Sequence, residues 1–191
     1  MTPRRLKSTL LLAGLLLAGI VFVGWTQQWF GVALTDGPTL SVAGDVAAPA
    51  LSTLALTCLV LIGALSIAGP FVRVVLGVLQ VLLGATMLLS GVLALANPVQ
   101  ASAASISDAT GIAGDAPVAA LVASVAVSAW PWVSTIAAAL IALSGIAVVV
   151  TGRRWPGSSR KYGATKLVPA EERTAVDDWD SLSDGADPTD R

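Results

Sequence analysis

Residues 71–96 read FVRVVLGVLQVLLGATMLLSGVLALA, an apolar run with a single charged side chain, Arg73. A helix needs about 20 mostly apolar residues to cross the roughly 30 Å hydrocarbon core of a bilayer. In that core an open strand or loop would leave backbone polar groups unpaired, whereas a helix pairs its own. This stretch therefore predicts a helix that spans a membrane.

One face of this helix carries an ordered pattern. Gly77, Gly84 and Gly91 recur at intervals of seven residues, Gln80 lies between them, and Arg73 lies one turn below. Small residues let helices approach closely in lipid, and a polar side chain deep in a span favours a hydrogen bond across the bundle. Arg73 is near enough to the span end for its charged head to reach the membrane interface. These five residues form the candidate intramembrane packing or polar site.

The rest of the chain extends this interpretation to four spans. Apolar residues make up 55% of the 191 residues and charged residues only 12%, which is far from the composition of a soluble domain. The ionisable residues leave long uncharged stretches, in which we place spans at about 8–25, 49–69, 71–96 and 130–151. The first span is too long for the apolar core of a secretory signal and lacks a small-x-small cleavage pattern, so we expect it to remain uncleaved.

Basic residues give the predicted orientation. All 11 Lys and Arg precede span one, lie beside the Gly69-Pro70 turn between spans two and three, or follow span four. The other two loops contain no Lys or Arg and carry only Asp. Since short cytoplasmic loops are enriched in Lys and Arg, we expect a multi-pass protein of the plasma membrane with both termini in the cytoplasm.

The two outer loops contain weaker signals. Residues 31–43 alternate around an Asp36-Gly37-Pro38 turn, which favours a β-hairpin over an irregular loop. In the second loop we expect a short helix before Gly111, whereas 117–127 fits a strand, an interfacial segment or an early start of span four. Aromatic residues at the span ends are interpreted as markers of the headgroup region: Trp25, Trp29, Phe30, Trp130, Trp132 and Trp155.

Several chemistries are absent from the sequence. The chain has no histidine and a single cysteine, Cys58, which excludes disulfide frameworks, Cys/His zinc sites and a Ser-His-Asp triad. It also lacks P-loop and dinucleotide-binding motifs. We therefore expect no catalytic residues, cofactor, metal or nucleic-acid partner, and interpret the chain as non-enzymatic.

The C-terminal segment 153–191 is predicted to be a disordered cytoplasmic tail. Residues 153–166 carry five basic residues and no acidic ones, whereas 171–191 carry eight acidic residues. The first part suits anionic lipid headgroups, and the second is typical of disordered acidic tails. A candidate motif for docking a cytoplasmic protein lies near its end, at Trp179, Asp180, Leu182, Gly185, Asp187 and Pro188.

The whole order of features resembles the tryptophan-operon-associated conserved membrane proteins of actinobacteria, also called tryptophan biosynthesis-associated membrane proteins. The resemblance rests most on Trp130-Pro131-Trp132 at the start of span four and on the tail motif from Trp179 to Thr189. It implies four spans and a link to tryptophan biosynthesis, with no catalytic residues to carry over.

The sequence thus predicts an all-α membrane protein: a four-transmembrane-helix bundle in a lipid bilayer, with a small β-hairpin in the first outer loop. The favoured function is a scaffold or accessory protein whose tail recruits a cytoplasmic partner. The alternative is a transport component for tryptophan or a precursor, in which Gln80 and the glycine face line a route within a homo-oligomer. The outer hairpin also allows recognition through the loops, as in the claudin-like layout.

Overall fold

The structure, a computed structural model, describes residues 3–35, 37–152 and 155. It contains four helices that are long and apolar enough to cross a membrane, which confirms the predicted fold class. These are α1 (Pro3–Trp25), α3 (Ala50–Ile67), α4 (Pro70–Ala96) and α8 (Trp130–Thr151). The bounds match the predicted spans to within a few residues, except that α1 begins at Pro3 rather than near residue 8.

The four long helices form one bundle. Helices α4 and α8 pack along most of their length, α1 packs on both α3 and α8, and α3 packs on α4. Pro70 and Pro131 lie in the first turns of α4 and α8, where a helix loses no hydrogen bond to proline. Large apolar side chains such as Leu16, Val60 and Phe71 remain exposed on the outside of the bundle, as expected when lipid is the solvent.

A small antiparallel sheet covers one end of the bundle. Strands β1 (Gln28–Leu34) and β2 (Thr39–Ala43) form the predicted hairpin, and β3 (Val122–Val127) pairs with the other side of β1. Val32 lies opposite both Leu40 and Val125. Strand β1 is therefore the central strand of a three-stranded sheet, and the segment 117–127 contributes the third strand.

Short helices complete this end of the molecule, which we call the sheet end. They are α2 (Gly44–Ala47), α5 (Pro98–Ala101), α6 (Ala103–Thr110) and α7 (Asp115–Leu121). Helix α6 is the short helix expected before Gly111, which follows it with a φ of 71°. A left-handed residue is common at this position and is usually glycine.

The interpretation of the aromatic residues as headgroup markers is wrong for three of them. Trp29 and Phe30 are fully buried in the core between sheet and bundle, and the indole N–H of Trp29 donates a hydrogen bond to the Gly24 carbonyl (2.8 Å). Trp155 is also buried, against Arg73. Each ring packs on protein instead of lipid, whereas Trp132 is 57% exposed.

Candidate functional site

The glycine face of α4 lies against α8. A Cβ atom added to Gly84 would lie 2.5 Å from the backbone nitrogen of Ala142, and one added to Gly77 would lie 2.9 Å from a methyl carbon of Val149. Distances this short exclude a side chain at either position unless the helices separate. Helices α4 and α8 therefore lie so close that the backbone of α4 contacts the backbone and side chains of α8.

The same contact continues in both directions. A Cβ on Gly91 would collide with the hydroxyl of Thr135, and a Cβ on Gly145 of α8 would lie 2.8 Å from the backbone nitrogen of Val81. Glycines on both helices thus form the seam between α4 and α8. Of these, Gly77, Gly84 and Gly91 belong to the candidate site, and the structure places all three at this seam.

Gln80 lies at the centre of the bundle and is 1% exposed. Its side-chain N–H donates to the hydroxyl of Ser144 on α8 (2.7 Å), and that hydroxyl donates in turn to the Ile141 carbonyl (2.8 Å). The amide also lies beside α1, since a Cβ on Gly14 would be 3.7 Å from the Gln80 nitrogen. Among the described residues, the Oε1 atom of Gln80 has no hydrogen-bond partner.

Arg73 is buried, at the ends of two spans. Its guanidinium donates to the carbonyls of Gly152 (2.9 Å) and Ala68 (2.7 Å) and lies 5.1 Å from the ring centroid of Trp155. Gly152 and Ala68 are the residues that end α8 and α3. A cation at two helix C-termini is favourable, because the helix dipole leaves partial negative charge there.

Two contacts support this arrangement at the same end, which we call the arginine end. The Lys7 ammonium donates to the carbonyl of Ser66 in the last turn of α3 (2.8 Å), and the Trp155 indole N–H donates to the Thr151 hydroxyl (3.1 Å). Two cations thus satisfy carbonyl groups near the end of α3. Lys7 and Arg73 therefore cap helix ends by donating hydrogen bonds to backbone carbonyl oxygens.

The structure therefore brings together the five intramembrane candidates on one face of α4, with their partners on α3 and α8. The candidate tail motif, from Trp179 to Pro188, lies outside the described residues. Sequence reasoning missed Ser144, although it lies next to Gly145 on the packed face of α8. It also missed the contact between Trp155 and Arg73, for which the aromatic residue at a span end is the one available signal.

Four apolar helices, two of them joined by a glycine seam, form a bundle with a buried arginine at one end and a sheet at the other. These features define an integral membrane protein of the four-helix class. The chain belongs to the family of tryptophan-associated transmembrane proteins, whose family profile matches residues 10–189. This match confirms the resemblance drawn from the tail and the Trp130-Pro131-Trp132 motif. Neither the comparison with curated proteins nor that with solved structures gives a match.

Proposed function

We propose that this protein is a non-enzymatic accessory protein of the plasma membrane that recruits a cytoplasmic enzyme of aromatic amino acid synthesis through its C-terminal segment. The observation that carries the proposal is the use of the polar groups inside the bundle. Arg73 donates to the chain's own helix ends and Gln80 to Ser144. Because these polar side chains hold the bundle together, they suit a protein that serves as a membrane anchor.

The charges of the described residues support the proposed orientation. Lys7 and Arg73 both contact the arginine end, whereas Asp45, Asp108 and Asp115 lie in the short helices of the sheet end. Positive residues mark the cytoplasmic side of membrane proteins. Both termini and the segment after α8 then belong to the cytoplasm.

The C-terminal segment supplies the proposed docking element. Trp179 and Leu182 are three residues apart within a strongly acidic stretch, so a helical turn formed on binding would place both apolar side chains on one side. An apolar pair surrounded by carboxylates fits a hydrophobic groove with a basic rim, a common mode of recognition for short helices.

Crosslinking and co-purification from intact cells test this proposal. The pair Trp179→Ala and Leu182→Ala is compared with the matched pair Ser181→Ala and Ser183→Ala in the full chain. The proposal expects a cytoplasmic enzyme of aromatic amino acid synthesis to be recovered with the unmodified chain and the serine variant, and lost from the first pair. Equal recovery with all three proteins would refute tail docking.

The transport alternative is supported by one observation, the unpartnered Gln80 Oε1 at the centre of the bundle. A route through the bundle needs such a group to bind its cargo. Tryptophan uptake and efflux are measured in cells lacking the protein and in cells carrying Gln80→Leu. Transport that depends on the protein and is lost with Gln80→Leu supports the alternative, whereas unchanged transport with Gln80→Leu rejects it.

A further inference from the structure

A cavity of about 390 Å³ lies at the sheet end, where α4 ends and the short helices begin. Its wall is formed by the last residue of α4, by α5 and by one side of α7, and it is largely apolar, with Pro98, Val99 and Val118 among its lining residues. Val118 is buried beneath it. The cavity therefore offers a hydrocarbon surface just beyond the end of a membrane span.

Three polar side chains also line this cavity: Asn97, Gln100 and Asp115. None of the three forms a side-chain hydrogen bond or ion pair within the ranges 3–35 and 37–152, although the Asn97 backbone is fixed by bonds to Leu93 and Ala101. One carboxylate and two amides thus belong to the lining of one cavity, without a protein hydrogen-bond partner in the described part of the chain. All three residues are exposed, so a ligand in the cavity can reach them.

The charge of the lining decides the class of ligand. Asp115 is the sole ionisable side chain in this lining, and four other cavities in the described part of the chain are lined without any. A carboxylate accepts hydrogen bonds from a cation, and an ammonium group has three donors for the carboxylate and the amide oxygens. The apolar wall would contact a hydrocarbon body attached to that ammonium.

We infer that this cavity binds a small organic ammonium compound, with the ammonium at Asp115, Asn97 and Gln100 and the apolar body against Val99 and Val118. A metal ion fits less well, because hard cations take six or more oxygen ligands and most of this wall is hydrocarbon. The shared chemistry has two sources at a membrane boundary: a soluble amine and the ethanolamine headgroup of a phospholipid.

Binding of phenethylamine to the full chain in phosphatidylglycerol nanodiscs tests the site. Saturable binding is expected, and Asp115→Asn should weaken it by about two- to fivefold, the range for partly solvated ion pairs. Raising the salt concentration should weaken binding to the unmodified chain and leave Asp115→Asn nearly unaffected. Asp108→Asn, an exposed carboxylate of α6 outside the cavity, is the matched control and should bind normally.

A second pair of variants tests the apolar wall without removing the charge. Ala119 lines the cavity and its neighbour Ala120 does not, while both are exposed on α7. Ala119→Phe should fill the space and abolish binding, whereas Ala120→Phe should retain it. Equal binding by Asp115→Asn and the unmodified chain, or by both phenylalanine variants, would overturn the inference, as would absence of saturable binding to the unmodified chain.

The lipid composition of the nanodisc separates the two sources. Adding phosphatidylethanolamine should lower the apparent affinity for phenethylamine if the headgroup occupies the cavity, since the two ammonium groups then compete. Equal affinity in both nanodiscs assigns the site to a soluble amine. Either result is consistent with an ammonium site. Whether the site exists is decided by the salt dependence of binding and by the affinity of Asp115→Asn.

Discussion

A methyl group on Gly84 would lie 2.5 Å from the backbone nitrogen of Ala142. Two packed helices can accommodate so short a contact only by moving apart. Gly84 is in the middle of α4 and Ala142 is in the middle of α8, so this contact sets the separation of the most extensively packed pair in the bundle. Lipid chains are as apolar as leucine, which makes close packing a main source of association between spans. The seam at Gly84 should therefore dominate the stability of the bundle.

We expect Gly84→Ala to lower the free energy of unfolding by about 1–3 kcal/mol, the usual cost of adding atoms to a filled interior. The added methyl group would meet the α8 backbone, which cannot rotate away as a flexible side chain could. Unfolding in mixtures of mild and denaturing detergent measures the change.

Gly63→Ala on α3 is the matched control. A Cβ at Gly63 has no atom within 4 Å, and the residue is exposed on the outside of the bundle. Alanine also favours helix over glycine, so this variant should be as stable as the unmodified chain or slightly more so. Equal losses at Gly84 and Gly63 would contradict the role of the seam.

The hydrogen bond between Gln80 and Ser144 makes an asymmetric prediction. Ser144→Ala alone should cost about 1–3 kcal/mol, because it leaves the buried Gln80 amide without a described partner. Adding Gln80→Met should recover much of that loss, since removing both polar groups can be nearly neutral. Detergent unfolding of the two single variants and the double variant measures this coupling. A double variant less stable than Ser144→Ala would contradict the prediction.

The four spans could be predicted because their cause is local: each helix contains a long run of apolar residues with very few charges. The seam follows from the same logic, since a glycine every seventh residue leaves gaps along one face of α4, into which a neighbouring helix can pack. Gln80 could be predicted to point inward, because a lone amide on an apolar helix has poor alternatives in lipid. In each case one short stretch contains the whole reason.

The remaining features depend on contacts between distant parts of the chain. Val122–Val127 is apolar enough for a helix or a strand. It forms a strand because it pairs with β1, where Val125 lies opposite Val32. Trp29 at a span end fits headgroups equally well until the sheet buries it. Arg73 binds backbone carbonyls at Ala68 and Gly152, and a sequence does not distinguish one carbonyl from another.

The buried arginine predicts a strong effect at the other end of the bundle. Arg73→Met should lower the free energy of unfolding by about 1.5–3 kcal/mol, the worth of hydrogen bonds from a charged donor. Arg73→Lys should restore only part of it, because one ammonium cannot reproduce the planar fork that serves two carbonyls. Lys7→Met removes a more exposed cation from the same end and should cost at most about 1 kcal/mol.

The aromatic partner of Arg73 gives an independent measurement. In a double-mutant cycle of Arg73→Met and Trp155→Leu, the coupling free energy should be about 1–2 kcal/mol, as expected for a desolvated cation above an indole ring. Detergent unfolding of the four proteins in the cycle supplies the values. Additive losses would mean that the 5.1 Å contact contributes no stability of its own.

The sheet end depends on a second glycine contact, at Gly44. A Cβ there would lie 2.6 Å from the indole nitrogen of Trp29 and 2.7 Å from the Trp25 carbonyl, so Gly44→Ala must displace Trp29 from its bond to Gly24. Backbone hydrogen exchange in β1 and β2 should then rise by about tenfold or more, equivalent to at least about 1.4 kcal/mol of overpacking, while the centres of α4 and α8 stay protected.

Gly31→Ala in β1 is the matched control, because its added methyl group meets only ordinary contacts of 3.7 and 3.8 Å. It should leave exchange nearly unchanged. Faster exchange with both variants would show that the sheet tolerates no added methyl group, and slow exchange with both would show that Trp29 does not hold the sheet to the bundle.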